Sequence, residues 1–375
     1  MKFYLIAGEP SGDRLGAALM AGLRLLQPGV TFCGVGGPLM QAEGLTSLFP
    51  MEELSVMGIA EVLPKYRALK RRIAEAAADV PAQGVSALIT IDSPDFCLRV
   101  ARLVKAAQPH LKTIHYVAPS VWAWRPGRAA RMARSVDHVL ALLPFEPPLM
   151  QAAGMSCDFV GHPVVAEALA DPAAARNFRG DAPLILALPG SRRAEVTRLA
   201  PVIGAVLAAV KRHHPDARVA LPTVRGVANL VRELAADWAI APVIIEDAER
   251  KRLAFAAADV AIAASGTVSL ELAANACPMV IAYKMHPATM WLMQRAARID
   301  TVTLVNLVSD SRAVPEFLGK NCRADLIAPA ALALMQPGPV REAQRAAMAL
   351  TMQRLGFGGE APGLRAARSV LSALR

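Results

Sequence analysis

The sequence has few aromatic side chains, few charged ones and no closely spaced cysteines. Aromatic residues make up 5% of the 375 positions and charged residues 19%, whereas 54% are hydrophobic. The scarcity of charge excludes an intrinsically disordered chain, because disorder requires a polar, charge-rich composition that cannot bury a core. The length also excludes a single small binding module and predicts two domains, since one hydrophobic core rarely serves so many residues.

Cysteine and histidine are too scattered to build a metal site. The cysteines form no pair at C-x-x-C or C-x-x-H spacing; they are Cys33, Cys97, Cys157, Cys277 and Cys322. This spacing argues against both a zinc site and a disulfide framework. We interpret the cysteines as small buried hydrophobic residues, and we expect neither a metal nor a cofactor.

A long hydrophobic run is also missing. No segment approaches the ~20 mainly apolar residues of a membrane-spanning helix. The apolar stretch after Lys2 is too short for the core of a signal peptide. We therefore interpret Phe3–Ala7 as a first strand and expect a cytoplasmic protein.

Basic residues outnumber acidic ones. Lys and Arg total 41 against 31 Asp and Glu, which gives a net charge of +10. Such an excess suits phosphate-bearing ligands, nucleic acid or anionic lipid surfaces. The arginines stand singly or in short groups such as Arg71-Arg72, and the absence of a concentrated stripe weakens the nucleic-acid interpretation.

Short apolar runs alternate with helical patterns along most of the chain. Phe3–Ala7 and Ala87–Ile91 are examples from the first half, and Leu184–Leu188 and Met279–Tyr283 from the second. This alternation predicts parallel sheets that are covered by helices on both faces. A change to Gly-, Pro- and Ala-rich sequence around 160–183 predicts the connection between two domains.

The predicted fold is α/β, with two Rossmann-like, doubly wound domains that face each other across a cleft. We assign the first domain to 1–165 and the second to 183–340. The last residues, 341–375, are predicted to form helices that either close the second domain or cross back to the first. In such sheets, ligands bind beyond the carboxyl ends of the strands. One long helical pattern, 52–80, interrupts the alternation in the first domain.

Two strand-to-helix turns in the second domain have a composition that suits phosphate. Pro189-Gly190-Ser191-Arg192-Arg193 leaves backbone amides free at a helix start and supplies a forked cation from one of its arginines. Ser265-Gly266-Thr267 carries small hydroxyl residues, and Glu271, one turn later, suits either a ribose diol or the helix dipole. Together they predict a nucleotide in the second domain, with simple capped turns as the alternative.

The first domain offers a candidate general base and two further motifs. Asp92 ends a very apolar strand, where desolvation would raise its pKa toward a useful value, or it has a structural role. The turn Gly8-Glu9-Pro10-Ser11-Gly12-Asp13 either meets an anion or a sugar hydroxyl, or is a capped turn without the spacing of a dinucleotide fingerprint. Trp122 and Trp124 either line an acyl or sugar site or belong to the core. Asp92, Glu9 and Asp13 all stay open as the proton acceptor.

Eight motifs in this order closely resemble those of the lipid-A-disaccharide synthase family. They are GEPSGD at 8–13, MEELSVMGIAEVL at 51–63, IDSPDF at 91–96, HYVAPSVWAWRPGR at 115–128, LPFE at 143–146, FVGHP at 159–163, LPGSRRAEV at 188–196 and ASGTVSLE at 264–271. The resemblance runs from the N-terminus to about residue 310.

The resemblance implies the GT-B architecture and an inverting, metal-independent glycosyltransferase. Such an enzyme joins UDP-2,3-diacylglucosamine to 2,3-diacylglucosamine 1-phosphate, and its products are the β-1,6-linked lipid A disaccharide 1-phosphate and UDP. It works at the cytoplasmic face of the inner membrane, as a peripheral protein.

The resemblance also implies roles for particular residues. The family's essential aspartate falls on Asp92, and its other functional positions fall on Arg192, Ser265, Gly266, Thr267, Glu271 and Asn306. The last stands in Leu304-Val305-Asn306-Leu307, where the family has an LPNL-like segment. The turns described above add Gly12, Asp13, Gly190 and Ser191 as substrate- or UDP-binding residues.

Acyl substrates would explain the basic balance. We hypothesise that segment 52–80 and the loop of Trp122 and Trp124 meet the bilayer surface, with anionic headgroups contacted by Lys65, Lys70, Arg71 and Arg72. An amphipathic helix packed on its own sheet is the alternative. A homodimer is kept open as a further partnership.

Two other functions remain in view at this point. One is another UDP-sugar enzyme of the same architecture, such as a UDP-N-acetylglucosamine epimerase or a different transferase. The other is a basic protein that binds nucleic acid or anionic lipid without catalysis. Turnover that requires both a nucleotide sugar and an acceptor would separate them.

Overall fold

The computed structural model of the chain describes residues 1–54, 59–285 and 299–375. It divides into two compact units. The first unit contains Met1–Ala166 together with Gly358–Arg375, and the second contains Glu167–Phe357. Each unit has a parallel sheet with helices on both faces.

The first unit is built on seven strands, whose order in the sheet is β3-β2-β1-β4-β5-β6-β7. The strands are β1 Lys2–Ala7, β2 Thr31–Val35, β3 Thr46–Ser47, β4 Ala87–Ile91, β5 Lys112–Tyr116, β6 His138–Ala141 and β7 Ser156–Phe159. The helices are α1 Pro10–Leu26, α2 Pro38–Ala42, α3 Ile59–Ala82, α4 Pro94–Ala107, α5 Gly127–Met132, α6 Pro147–Gln151 and the C-terminal α15 Pro362–Ala373. Short 3₁₀ helices cover Met51–Glu53 and Pro163–Ala166.

Alternation along β1 shows how the first sheet is buried. Phe3, Leu5 and Ala7 pack on the face covered by α1 and α15, whereas Tyr4 and Ile6 pack on the face covered by α3 and α4. Because successive strand residues point to opposite faces, a strand with helices on both sides is apolar throughout. This explains why β1 and β4 read as continuous hydrophobic runs.

The second unit repeats the scheme with six strands in the order β10-β9-β8-β11-β12-β13. The strands are β8 Leu184–Leu188, β9 Arg218–Pro222, β10 Pro242–Ile245, β11 Val260–Ala264, β12 Met279–Tyr283 and β13 Glu316–Leu318. The helices are α7 Pro172–Arg179, α8 Arg193–His213, α9 Ala228–Ala235, α10 Ala248–Ala257, α11 Val268–Ala274, α12 Leu304–Ser309, α13 Ala324–Met335 and α14 Pro339–Arg354. Short 3₁₀ helices cover Arg225–Val227 and Gly319–Asn321.

Both sheets reverse direction beside their first strand. In each, the first strand lies between the second and the fourth, which is the doubly wound Rossmann arrangement. The loops that follow β1 and β4 in the first unit, and β8 and β11 in the second, therefore lie at the points where such folds bind ligands. The predicted α/β fold class is confirmed.

The element bounds agree with the sequence predictions at the central strands and differ elsewhere. Ala87–Ile91 and Leu184–Leu188 are strands as predicted, but the edge strands β3 and β13 were not predicted. The helix predicted from Glu52 is wrong at its start, because a 3₁₀ helix ends at Glu53 and α3 begins at Ile59. Residues 55–58, which include part of the second motif, lie outside the described residues.

All five cysteines are free and buried, as expected for small hydrophobic residues. Within the described ranges, none of the helices combines the length and the hydropathy needed to cross a bilayer.

Candidate active site

A cavity of about 480 Å³ opens at the carboxyl edge of the second unit's sheet. It is formed where three neighbouring strands, β8, β9 and β11, end. Seven predicted nucleotide-binding residues line it, namely Gly190, Ser191, Arg192, Ser265, Gly266, Thr267 and Glu271. The structure therefore brings together two turns that are about 75 positions apart in the sequence.

The turn after β8 is shaped by a glycine and a carboxylate. Gly190 has a φ of +110°, and a Cβ atom there would lie 2.5 Å from Glu195 Oε2. Only glycine fits this position without displacing Glu195. Arg192 precedes α8 and keeps 67% of its side chain exposed while donating a 3.0 Å hydrogen bond to Glu195 Oε1. A guanidinium is thus held at the cavity with most of its donors facing solvent.

The turn after β11, the strand next to β8, forms another part of the cavity wall. Gly266 has a φ of +148°, with open space where a side chain would project. Ser265 donates to the carbonyl of Val302, and Ser269, one turn into α11, donates back to the carbonyl of Gly266. These bonds fix the turn, and backbone and hydroxyl groups remain at the cavity wall.

Glu271 is held by a lysine that the sequence analysis did not identify. Lys251 Nζ donates to Glu271 Oε2 at 2.6 Å, and the same ammonium lies 5.1 Å from the ring centroid of Phe255. Lys251 and Phe255 are four residues apart on α10, so they share one face of the helix. Both line the cavity. Their spacing was visible in the sequence, but nothing there indicated that α10 reaches the two turns.

Thr223 is a further residue that the sequence analysis missed. It follows β9 and lines the cavity, and its backbone N–H donates to the carbonyl of Ile245. Its Oγ1 is buried and has no hydrogen-bond partner among the described residues. Since buried hydroxyls are nearly always satisfied, this one is suited to bond a ligand.

The structure places Asn306 away from any surface. Its side chain is fully buried, its amide nitrogen donates to the carbonyl of Val314, and its Oδ1 accepts from the N–H of the same residue, both at 2.9 Å. Thr301 Oγ1 accepts a further bond from the amide at 3.2 Å. Through these bonds Asn306 joins α12 to the residues just before β13. Asn306 does not line the cavity.

Asp92 follows β4 at the carboxyl edge of the first unit's sheet. Its φ is +51°, and its backbone N–H donates 2.9 Å to the carbonyl of Tyr116 on the neighbouring strand. The side chain is half-buried, and burial raises the pKa of the carboxyl group, against a lowering by the backbone N–H of Ser93. A raised pKa and a left-handed backbone are both typical of functional carboxylates.

Gly12 and Asp13 have structural roles in the first unit. Asp13 is 2% exposed, and its carboxylate accepts hydrogen bonds from the N–H groups of Gly37, Leu39 and Met40 at 2.9 to 3.0 Å. It therefore caps α2, and this engagement argues against Asp13 as the proton acceptor. A Cβ atom on Gly12 would lie 3.3 Å from Ala7 Cβ and 3.4 Å from the carbonyl of Ile91, so this glycine permits α1 to approach the sheet.

A second cavity of about 330 Å³ lies next to the turn that contains Asp92. Ser93, Pro94 and Asp95, the residues that follow Asp92, form one wall. The remaining lining is part apolar and part charged and consists of Glu9, Leu54, Leu69, Lys70, Ile73, Phe96 and Arg99. Such a lining suits an amphipathic molecule. Among the described residues, no three His, Cys, Asp or Glu side chains are grouped to hold a metal ion.

Comparison with known families gives one match over nearly the whole chain. The sequence model described as lipid-A-disaccharide synthetase matches residues 3–359. A lipid-A-disaccharide synthase of Ruegeria pomeroyi is 60% identical over 387 aligned positions, which cover 100% of this chain and 96% of the relative. A lipid-A-disaccharide synthase of Rhodospirillum centenum is 46% identical, with 99% of this chain and 94% of the relative covered.

Two solved structures with the same fold are much more distant in sequence. A putative UDP-N-acetylglucosamine 2-epimerase from Listeria monocytogenes superposes with a TM-score of 0.66 at 14% identity, over 99% of this chain and 95% of the other. MurG from Acinetobacter baumannii gives a TM-score of 0.55 at 16% identity, over 94% of each chain. These likenesses support the GT-B fold and, at such identities, the fold alone.

Proposed function

The chain belongs to the lipid-A-disaccharide synthetase family, and we propose that it joins UDP-2,3-diacylglucosamine to 2,3-diacylglucosamine 1-phosphate and releases UDP. The observation that carries this proposal is the cavity of the second unit. Two turns suited to phosphate and a carboxylate suited to a ribose line one space of about 480 Å³, a volume typical of small-molecule sites.

The second unit's cavity has the groups needed to bind UDP and to stabilise it as it leaves. The Arg192 guanidinium can form a forked contact with the diphosphate, and the amides of the turns after β8 and β11 can donate to its oxygens. Glu271, oriented by Lys251, accepts from the ribose hydroxyls. As the glycosidic phosphate departs, negative charge builds on the diphosphate, and these fixed donors stabilise it in the transition state.

Asp92 supplies the base on the acceptor side. Its carboxylate takes the proton of the acceptor 6-hydroxyl while that oxygen attacks the anomeric carbon from the face opposite UDP. The new C1–O6 bond forms as the C1–O bond to the diphosphate breaks, and UDP leaves with the electron pair. The configuration at the anomeric carbon is inverted, which gives the β linkage. The raised pKa of the Asp92 carboxyl group makes this residue a better proton acceptor.

The acyl chains of the proposed substrates favour a reaction at a membrane surface. The second cavity described above, which lies in the first unit next to Asp92, offers apolar and charged groups to an amphipathic acceptor. On α3, Arg67 and Arg71 are exposed one turn apart. Arg72 is different, because it pairs with Glu53 and Glu75 at 2.7 Å and covers the ring of Phe49. We include in the proposal that the protein acts as a peripheral protein at the cytoplasmic face of the inner membrane.

The other functions considered from the sequence are not favoured. The epimerase shares the fold at 14% identity, whereas the synthases share 60% and 46% identity over nearly the whole chain. A non-catalytic binding protein would have no need for the desolvated carboxylate of Asp92 beside an amphipathic cavity.

The test is a direct assay of the purified protein with both sugar substrates in the presence of EDTA. We expect UDP release and a disaccharide 1-phosphate, identified by mass spectrometry, at a rate that EDTA does not change. Omission of the acceptor should abolish UDP release. Interconversion of the nucleotide sugar without an acceptor would indicate an epimerase, and a folded protein that binds UDP without product would contradict the proposed substrates.

Two neighbouring arginines provide a matched control for the nucleotide site. Arg192 lines the cavity, whereas Arg193, the first residue of α8, does not. We expect Arg192→Gln to weaken UDP binding by roughly 10- to 100-fold, the size of hydrogen bonds between charged groups, and Arg193→Gln to leave it within about twofold. Equal losses in a calorimetric titration with UDP would remove Arg192 from the site.

A further inference from the structure

A strained loop follows strand β5 on the side of the sheet where Asp92 lies. We call residues 117–126 the tryptophan loop. Val117 at its start has a φ of +85° and Arg125 near its end has a φ of +51°. A β-branched residue adopts a positive φ only where the surrounding structure enforces it. The loop begins one residue after Tyr116, whose carbonyl accepts the backbone hydrogen bond from Asp92. The tryptophan loop therefore starts directly from the strand end that accepts the backbone hydrogen bond of Asp92.

The carboxylate of Glu146 bonds the inner part of this loop, in addition to the backbone hydrogen bond from Val117 to the carbonyl of Leu140. Glu146 is 4% exposed. Its Oε1 accepts from the indole N–H of Trp122 at 3.2 Å, and its Oε2 accepts from the backbone N–H of Leu143 at 3.0 Å. The ring of Phe145 packs edge to face on Trp122, with centroids 5.4 Å apart. The LPFE segment at 143–146 thus bonds to the indole ring of Trp122 and packs against it.

The outer part of the tryptophan loop carries different chemistry. Trp124 is half-buried, and the exposed Arg125 lies over its ring at 4.2 Å from the centroid. The loop therefore presents an aromatic ring and a cation at its outer part, while Trp122 anchors its inner part. Both kinds of group suit an acceptor that is a sugar phosphate.

Glu146 is buried without a compensating cation. Burial raises its pKa to about 7, and the opposing causes are hydrogen bonds from Leu143, Trp122 and Leu142. No ion pair is formed by Glu146 in the described part of the chain. The thiol of Cys157 on β7 also faces Glu146, but burial raises the pKa of that thiol to about 12 and keeps it neutral. A carboxylate in such a place costs free energy, and it contributes to neither of the two cavities.

We propose that Glu146 is a positioning residue for sugar transfer: through Trp122 it holds the tryptophan loop at the sheet edge where Asp92 meets the acceptor. This inference rests on the proposed function and adds to it a residue that contacts neither substrate. It requires that loss of the Glu146–Trp122 bond affects the acceptor and leaves UDP binding, which belongs to the second unit, unchanged.

Two variants weaken the same bond from opposite sides. Trp122→Phe keeps an aromatic ring against Phe145 and removes the N–H donor. Glu146→Gln keeps the shape, removes the charge and leaves one oxygen to accept from two N–H donors, those of Trp122 and Leu143. We expect each to lower kcat/KM for the acceptor about 10-fold, as for one hydrogen bond to a charged group, mainly by raising its KM. The Kd of UDP should not change. The double variant should lose no more than the stronger single variant, because both act on one interaction.

Controls and contrary outcomes separate this role from general damage. Glu43→Gln removes a carboxylate that pairs with Arg24 on the surface of the same unit, and it should behave as wild type. If Glu146→Gln does not fold, Trp122→Phe decides alone. Wild-type kcat/KM in Trp122→Phe, or losses that add in the double variant, would overturn the positioning role only. A wild-type protein that forms no disaccharide would overturn the proposed function and this role together.

Discussion

Asp92 combines a left-handed backbone with a partly desolvated carboxyl group. Its backbone lies in the left-handed region at φ +51°, and so does that of Ser93 at φ +43°. Its side chain is half-buried, and burial raises the pKa of its carboxyl group. The backbone of Ser93 donates a hydrogen bond to the carboxylate, and desolvation increases the affinity of the carboxylate for a proton. At the scale of single residues, this is the environment that a general base requires.

The variant Asp92→Asn tests this assignment, because it keeps the shape and removes the basic oxygen. We expect turnover to fall by roughly 10²- to 10⁴-fold while the Kd of UDP stays the same. In the wild type, turnover should increase with pH through the raised pKa of Asp92, since only the ionised carboxylate accepts the proton. That dependence should be lost in the variant.

Asp95 gives a contrast within the same segment. It lies three residues later, is exposed, stands in the first turn of α4 and lines the second cavity. Because it would contact the acceptor without taking its proton, Asp95→Asn should change the KM of the acceptor and keep turnover within about twofold. Equal losses in the two variants, or near wild-type turnover in Asp92→Asn, would exclude Asp92 as the base.

The residues also show which parts of a site can be predicted from sequence. The two turns of the second unit were predictable, because glycine and small hydroxyl residues after an apolar strand have a local cause. Lys251 and Thr223 were not predictable, since only the order of the strands in the sheet brings their segments to the cavity. Asn306 and Asp13 have the residue types of ligands, but their polar atoms are engaged by buried backbone groups. Residue type alone does not distinguish these two uses.

At the scale of elements, the attachment of the C-terminal helix depends on two glycines. A Cβ atom on Gly22 of α1 would lie 2.6 Å from the carbonyl oxygen of Gly363, and one on Gly363 of α15 would lie 2.5 Å from that of Ala18. Further along α15, Ser369 Oγ lies 2.7 Å from His138 Nε2 and donates to Asp158 at 2.6 Å. The helices therefore cross with backbones in close contact, and polar bonds fix the far end of α15.

Gly363→Ala should destabilise the first unit by about 1–3 kcal/mol, because the added methyl group forces two backbones apart. The gain in helix propensity of up to about 1 kcal/mol is too small to offset this. Gly127→Ala is the control, since Gly127 starts α5 and has open space around its Cβ position. Urea unfolding, followed by circular dichroism, should show a lower midpoint for Gly363→Ala alone. Wild-type stability for this variant would contradict the close crossing.

The sequence patterns for α15 illustrate the limit of prediction for elements. Helical spacing in 341–375 was recognisable, but the pattern divides into α14, which packs in the second unit, and α15, which packs in the first. A helix with one apolar face gives no indication of which sheet or helix covers that face. The central strands had unambiguous bounds because they are buried on both faces, whereas two-residue β3 carries too little pattern to be detected.

At the scale of the whole molecule, the net charge of +10 must be considered together with where the cations lie. Several basic residues are used in internal ion pairs, as Lys105 is with Asp137 and Arg179 with Asp259. Each of those pairs adds nothing to the net charge, and its cation is already engaged by a carboxylate. Exposed cations on one helix, such as Arg67 and Arg71, are more relevant to an anionic bilayer.

Vesicles of phosphatidylcholine with phosphatidylglycerol should therefore bind the protein at low salt, with Arg67 and Arg71 contributing about 1 kcal/mol each. Arg67→Gln with Arg71→Gln should weaken sedimentation with these vesicles by roughly 30-fold, and ionic strength near 0.5 M should abolish binding in the wild type. Arg72→Gln provides the contrast, because its guanidinium is committed to Glu53 and Glu75. It should lower thermal stability and leave vesicle binding unchanged. Unaltered binding in the Arg67/Arg71 variant would show that α3 only covers its own sheet and does not meet the membrane.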